Sequence, residues 1–195
     1  QQYSPKGYCF GLCAQWIGLR LNGGNFDFDR DYKTLSAKNT MTGLYLQAVY
    51  VNRFNKELWK FDPGHPIDSA VNFLSSDTDA VNRAAKNEAL AFFGLKLSPH
   101  AMKTGNGADG GFLLACADMI PGTCLLDWSG PGGAHATAMN SRPREQEYDY
   151  FDPNCGHFAF RSKQRFRDWF YDYATRMGYR HSLDQRIEYS GITLL

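Results

Sequence analysis

Residues 132–154 read GGAHATAMNSRPREQEYDYFDPN. Two β-type runs, His135–Ser141 and Gln146–Asp152, flank Arg142-Pro143-Arg144-Glu145, whose composition suits a hairpin loop. With that loop Ser141 faces Gln146, and the same register sets His135 opposite Asp152 on one face, Cβ atoms about 5 Å apart. An odd-length loop would turn Asp152 to the other face, because strand side chains alternate with period two. The hairpin therefore offers a histidine–carboxylate pair. Thr123–Trp128 and Phe158–Phe160 extend the strand pattern on either side, and Arg186–Leu195 reads as a last strand after a helix over Lys163–Met177.

Upstream the periodicity is helical. Cys9, Leu12, Cys13, Trp16 and Ile17 recur at helix spacing, and Asn22-Gly23-Gly24 ends the run at about Leu21. Further helices are expected over Thr42–Trp59, Asp77–Phe93 and Gly111–Met119, with Gly94 just past the end of Asp77–Phe93. Helices first and an antiparallel sheet afterwards make an α+β chain. It reads as one domain, 1–195, with a helical lobe at about 8–119 and a sheet lobe at about 123–195.

The chain has 195 residues, 43% of them hydrophobic and 15% aromatic, and a formal net charge of +1. That apolar content excludes disorder, and the length can bury a core without staples. A flat charge balance argues against a nucleic-acid binder. No apolar run approaches the ~18 residues that span a membrane. The five cysteines are Cys9, Cys13, Cys116, Cys124 and Cys155; the odd count leaves a thiol free, and the spacing lacks the paired motifs of a zinc site. Free thiols suit a reducing compartment. The start, Gln1-Gln2-Tyr3-Ser4-Pro5, has neither methionine nor signal-peptide character, so the chain is read as a piece of a longer effector or toxin.

A cysteine in the first turn of a helix meets the positive end of the helix dipole, which favours a thiolate. A thiolate used as a nucleophile needs a base, and the base an orienting group. Cys9 on its helix and the His135–Asp152 pair on the hairpin supply these three types. Cys13, Cys116 and Cys124 sit in apolar runs and read as packing, Cys155 as a loop residue. His65, His100, His157 and His181 lack a matching carboxylate block and read as surface or structural. Trp16 reads as core, and Trp128 suits a cleft wall or the core equally. Gly105-Asn106-Gly107-Ala108-Asp109-Gly110 matches G-x-G-x-x-G, but Ser98-Pro99-His100 before it does not read as the strand a dinucleotide site needs. Arg161, Lys163, Arg165 and Arg167 read as a solvated basic face.

Three blocks, Gly7-Tyr8-Cys9-Phe10-Gly11-Leu12-Cys13-Ala14-Gln15-Trp16-Ile17, Gly133-Ala134-His135-Ala136 and Tyr150-Phe151-Asp152-Pro153-Asn154-x-Gly156-x-Phe158, resemble the papain-like cysteine peptidases of bacterial virulence effectors, the YopT/AvrPphB family. The resemblance runs from Cys9 to about Phe160. It implies a papain-like fold, with Cys9 as nucleophile, His135 as general base and then acid, and Asp152 orienting the imidazole. It implies a thioester intermediate, no cofactor and no metal, a specific host protein as substrate (a small GTPase or a kinase), and secretion by a bacterium into a host cytoplasm. It places the oxyanion at the backbone N–H of Cys9 and a polar side chain upstream. The family places an Asn or Gln a few residues before the cysteine; this chain offers Gln1, Gln2 and Ser4 there, and Gln2 is chosen. Lacking that donor costs roughly 10²–10³ in rate. The same three residues would also serve a glutamine deamidase or transglutaminase, or an autoprocessing domain. A binding module with a degenerate site is the reading from another class.

Overall fold

The computed structural model describes residues 9–22, 75–104, 110–131, 133–183 and 186–195. The expected helix over residues 42–59 and the Gln2 position lie outside them.

Helix α1 is Cys9–Leu21, where the apolar spacing placed it. It stops at Asn22, whose backbone N–H and side-chain amide both donate to the Gly18 carbonyl, at 3.1 and 2.9 Å. Helix α2, Ser75–Ala91, ends in a turn that reaches Gly94 at φ 68°, a conformation glycine adopts without strain. Then follow β1 (Leu95–Thr104), α3 (Gly110–Met119), β2 (Gly122–Gly130), β3 (Gly133–Arg142), β4 (Glu147–Asp152), β5 (Gly156–Phe160), α4 (Lys163–Arg176), α5 (Tyr179–Ser182) and β6 (Arg186–Leu194). The Ser162 side chain caps α4 by accepting from the Arg165 N–H.

Among the described residues six strands form one sheet in the order β1-β6-β2-β3-β4-β5, every neighbouring pair antiparallel. Strand β1 was not legible in the sequence. Pro99 argues against a strand interior, but β1 is an edge strand with a register irregularity between Leu97 and Ala101, where a proline is tolerated. Thus a strand does precede the Gly105–Gly110 run, contrary to expectation. Its sheet neighbour is antiparallel β6, so the adjacent parallel pair of a dinucleotide fold is still missing among the described residues.

Alternation along the strands gives the sheet two apolar faces. On one, Leu125, Ala136, Ala138, Phe151 and Ile192 meet Phe10, Cys13, Trp16 and Ile17 of α1 and Ala89 and Leu90 of α2. On the other, Cys124, Leu126, Trp128, Met139, Tyr148 and Tyr150 meet α3, α4 and α5 through Leu113, Phe166, Phe170, Tyr173 and Tyr179. Each fully buried large side chain here stabilises the fold by about 1.5–3 kcal/mol. Helix α2 is tied to the sheet by charge as well: Lys86, 1% exposed, places Nζ 2.6 Å from Asp127 and 3.4 Å from Glu188.

Candidate active site

The β3–β4 hairpin differs from its expected register. A 3-10 turn at Pro143–Glu145 and a left-handed Gln146 (φ 57°) move the loop one residue on, so Arg142 faces Glu147 and Ser141 faces Tyr148. His135 is therefore not directly opposite Asp152. The two are diagonal neighbours, displaced by two residues. An even displacement preserves the face, and diagonal neighbours remain within reach of long side chains. His135 Nε2 lies 3.1 Å from Asp152 Oδ1. At its other end β3 joins β2 through a two-residue turn, with Gly130 facing Gly133 and Trp128 facing His135.

Asp152 is fully buried and accepts four hydrogen bonds. His135 and the Asn154 N–H (2.8 Å) serve Oδ1; the hydroxyls of Tyr173 and Tyr179 both donate to Oδ2. Burial alone would raise its pKa. His135 and the two hydroxyls outweigh burial and hold the carboxyl below its usual range. For His135 burial works downward, while hydrogen bonds and charge interactions with Asp152 and Cys9 raise its pKa to about 9. Nε2 is engaged with Asp152, which leaves Nδ1 for the Cys9 sulfur.

Cys9 arrives from the opposite face of the sheet, as the first residue of α1. Its approach is fixed further along the helix. Trp16 stacks on Phe151, Arg20 forms an ion pair with Asp149, and the Cys13 thiol donates to the Ala136 carbonyl at 3.4 Å. His157 packs edge-on against Trp16, and its Nε2 lies 3.5 Å from Asp149. A carboxylate is thus close to it, contrary to the sequence reading. Burial and the Arg20 charge push its pKa down to about 4, so it stays neutral and structural while Arg20 pairs with Asp149.

All five cysteines are free thiols. Cys13, Cys116 and Cys124 are buried; burial lifts Cys13 well above the usual thiol range, Cys116 to about 11 and Cys124 to about 12. Cys155 is exposed on the loop after Asp152, 3.4 Å from the Met177 sulfur. Trp128 is 1% exposed, packed on Phe170 and Tyr179 with its indole N–H on Thr137, so it supports the site from below and forms no cleft wall. The basic residues at the start of α4 are a solvated face: Arg161 pairs with Glu147 and Lys163 with Asp118. Among the described residues no His/Cys/Asp/Glu cluster of three or more could hold a metal, and no helix is long and apolar enough to cross a membrane. Sequence reasoning missed Tyr173 and Tyr179. In a chain with 11 tyrosines nothing local marks them; only the left-handed turn at Gly178 (φ 72°) folds Tyr179 back beside Tyr173.

Residues 122–193 match the family model described as Yersinia/Haemophilus virulence surface antigen, Peptidase_C58; His135 and Asp152 lie inside the match and Cys9 before it. The fold is papain-like, and the family matched over residues 122–193 is a peptidase family. The particular likeness is to the crystal structure of the Pseudomonas avirulence protein AvrPphB, with a TM-score of 0.72 at 16% identity over 97% of this chain and 93% of that one. Together these bear out the resemblance to the YopT/AvrPphB effectors. No curated protein matches the chain by sequence.

Proposed function

We propose that the chain hydrolyses a specific host protein, with Cys9 as nucleophile, His135 as general base and acid and Asp152 as the group that orients the imidazole. The observation that carries this reading is the relay itself. A buried carboxylate holds one ring nitrogen of His135 at 3.1 Å, and the same ring interacts with Cys9, the first residue of a helix.

The Cys9 sulfur attacks the scissile carbonyl carbon, and the backbone N–H of Cys9 stabilises the oxyanion, with the Gln2 side chain as the second donor. The C–N bond breaks as the His135 imidazolium gives its proton to the leaving amine. The neutral imidazole then takes a proton from water, hydroxide adds to the thioester, and the acid leaves as the thiolate is restored. Delivery of a bacterial effector into a host cytoplasm is the setting that the family likeness supports.

Iodoacetamide labelling tests the assignment. Cys9 reacts faster than Cys13, Cys116, Cys124 and Cys155, and Cys9→Ala abolishes turnover. Equal labelling of Cys9 and exposed Cys155, or full activity of Cys9→Ala, overturns it. Mass spectrometry of exposed host proteins separates a cut chain from a deamidated glutamine.

A further inference from the structure

Asp152 Oδ2 points away from His135, into the packing between the sheet and the last helices. A buried carboxylate oxygen there would be costly without donors. Two are supplied, one from the last turn of α4 and one from the first residue of α5. Both rings are held by neighbours: Tyr173 stacks on Trp169 at 4.6 Å, and Tyr179 lies 5.8 Å from Trp128 and 5.5 Å from His135. Neither hydroxyl is needed for that packing, which a phenylalanine ring would reproduce. With both donors on Oδ2, the carboxylate plane is set and Oδ1 is presented to His135.

We propose that Tyr173 and Tyr179 are positioning residues whose paired hydroxyls keep Asp152 ionised and turned toward His135. The inference rests on the reading of Cys9, His135 and Asp152 as the reacting set. The other titratable groups facing this cluster are Cys9 and Cys13 of α1, Tyr150 of β4, and Cys155 beside the two tyrosines. The neighbouring phenols have raised pKa values and stay protonated as donors. Removing the hydroxyls leaves Asp152 buried with fewer donors, so it takes up a proton at higher pH. The imidazolium then loses its counter-ion, and with it the charge that sustains the Cys9 thiolate.

The test is the pH dependence of Cys9 labelling by iodoacetamide in wild type, Tyr173→Phe, Tyr179→Phe and the double variant, beside thermal melting of each. The acid-side loss of labelling moves to higher pH by about one unit in the double variant and by less in each single one. At a fixed mildly acidic pH the double variant labels about tenfold more slowly. Melting temperatures fall most in the double variant, because the buried Oδ2 loses both donors while the rings remain. Wild-type profiles in both single variants, or a lowered melting temperature with an unmoved profile, overturn the proposal. A wild-type Cys9 that labels no faster than Cys155 instead overturns the reading of the site.

Discussion

Trp16 lies flat against Phe151, ring centroids 5.6 Å apart and planes within 4°. Trp16 is two helical turns along from Cys9, and Phe151 directly precedes Asp152. The contact thus sets the helix that carries the sulfur against the strand that carries the carboxylate. Removing it should disturb both stability and alignment. Trp16→Ala is expected to cost about 3–5 kcal/mol in urea denaturation, and to slow Cys9 labelling even where the protein remains folded. Trp16→Phe, which keeps an aromatic face, recovers most of both. Normal labelling in folded Trp16→Ala would show that the stack does not align the site.

The His135 pKa of about 9 fixes a pH dependence in two observables. Its folded value lies above the ordinary value of 6.5, so the stabilisation it reports is fully present below about pH 6.5 and is lost as pH rises through about 9. The difference amounts to about 3 kcal/mol. Asp152 works in the opposite direction: its depressed pKa gives stability that is lost as pH falls into the acid range. Urea midpoints should therefore fall between about pH 6.5 and pH 9 in wild type and not in His135→Gln. Under the proposed mechanism turnover should fall over the same upper range, as the imidazolium proposed to protonate the leaving amine disappears. A flat stability profile in wild type would refute the raised value.

Lys86 is buried between Asp127 and Glu188. Lys86→Met removes the cation and leaves the carboxylates facing each other, with Glu188 retaining Arg186 at 3.5 Å. Breaking such a buried cluster by removing one partner costs about 3–5 kcal/mol. Burial already raises the Asp127 pKa against the pull of Lys86. Without the lysine both acids take up protons more readily, so the deficit shrinks as pH falls. Urea denaturation across the range from mildly acidic to neutral pH checks this; a deficit independent of pH would mean that lost packing of the lysine stem, and not charge, is responsible.

How far the sequence carried the site follows from the range of the interactions. The α1 boundaries and the shared face of His135 and Asp152 rest on local periodicity, which survives a small error in the loop. The register itself failed because the 3-10 turn and the left-handed Gln146 are set by the loop backbone, and no residue there demanded them. Strand β1 failed because Pro99 is tolerated only by virtue of an edge position, a fact of the whole sheet. The two tyrosine donors failed because their convergence depends on how α4 and α5 pack against β4. The match of α1 to the hairpin, by contrast, was expected from the chemistry that a cysteine, a histidine and an aspartate perform together.

Gly130 makes that packing dependence testable. A Cβ at this position would lie 2.4 Å from the Ser182 carbonyl oxygen and 2.8 Å from the Leu183 Cα. Both are backbone, so neither can swing aside; the end of α5 must move. Tyr179 is the first residue of that helix and donates to Asp152. Gly130→Ala should therefore cost about 1–3 kcal/mol by overpacking, and also withdraw one donor from the carboxylate. The expected signature is a lowered melting temperature together with an acid-side loss of Cys9 labelling displaced upward, as in Tyr179→Phe. Ala134→Gly, at the exposed second residue of β3, serves as a control for backbone flexibility near His135. If Gly130→Ala lowers stability while its labelling profile stays with wild type, the backbone of α5 yields without moving the Tyr179 hydroxyl, and the turn does not govern the site.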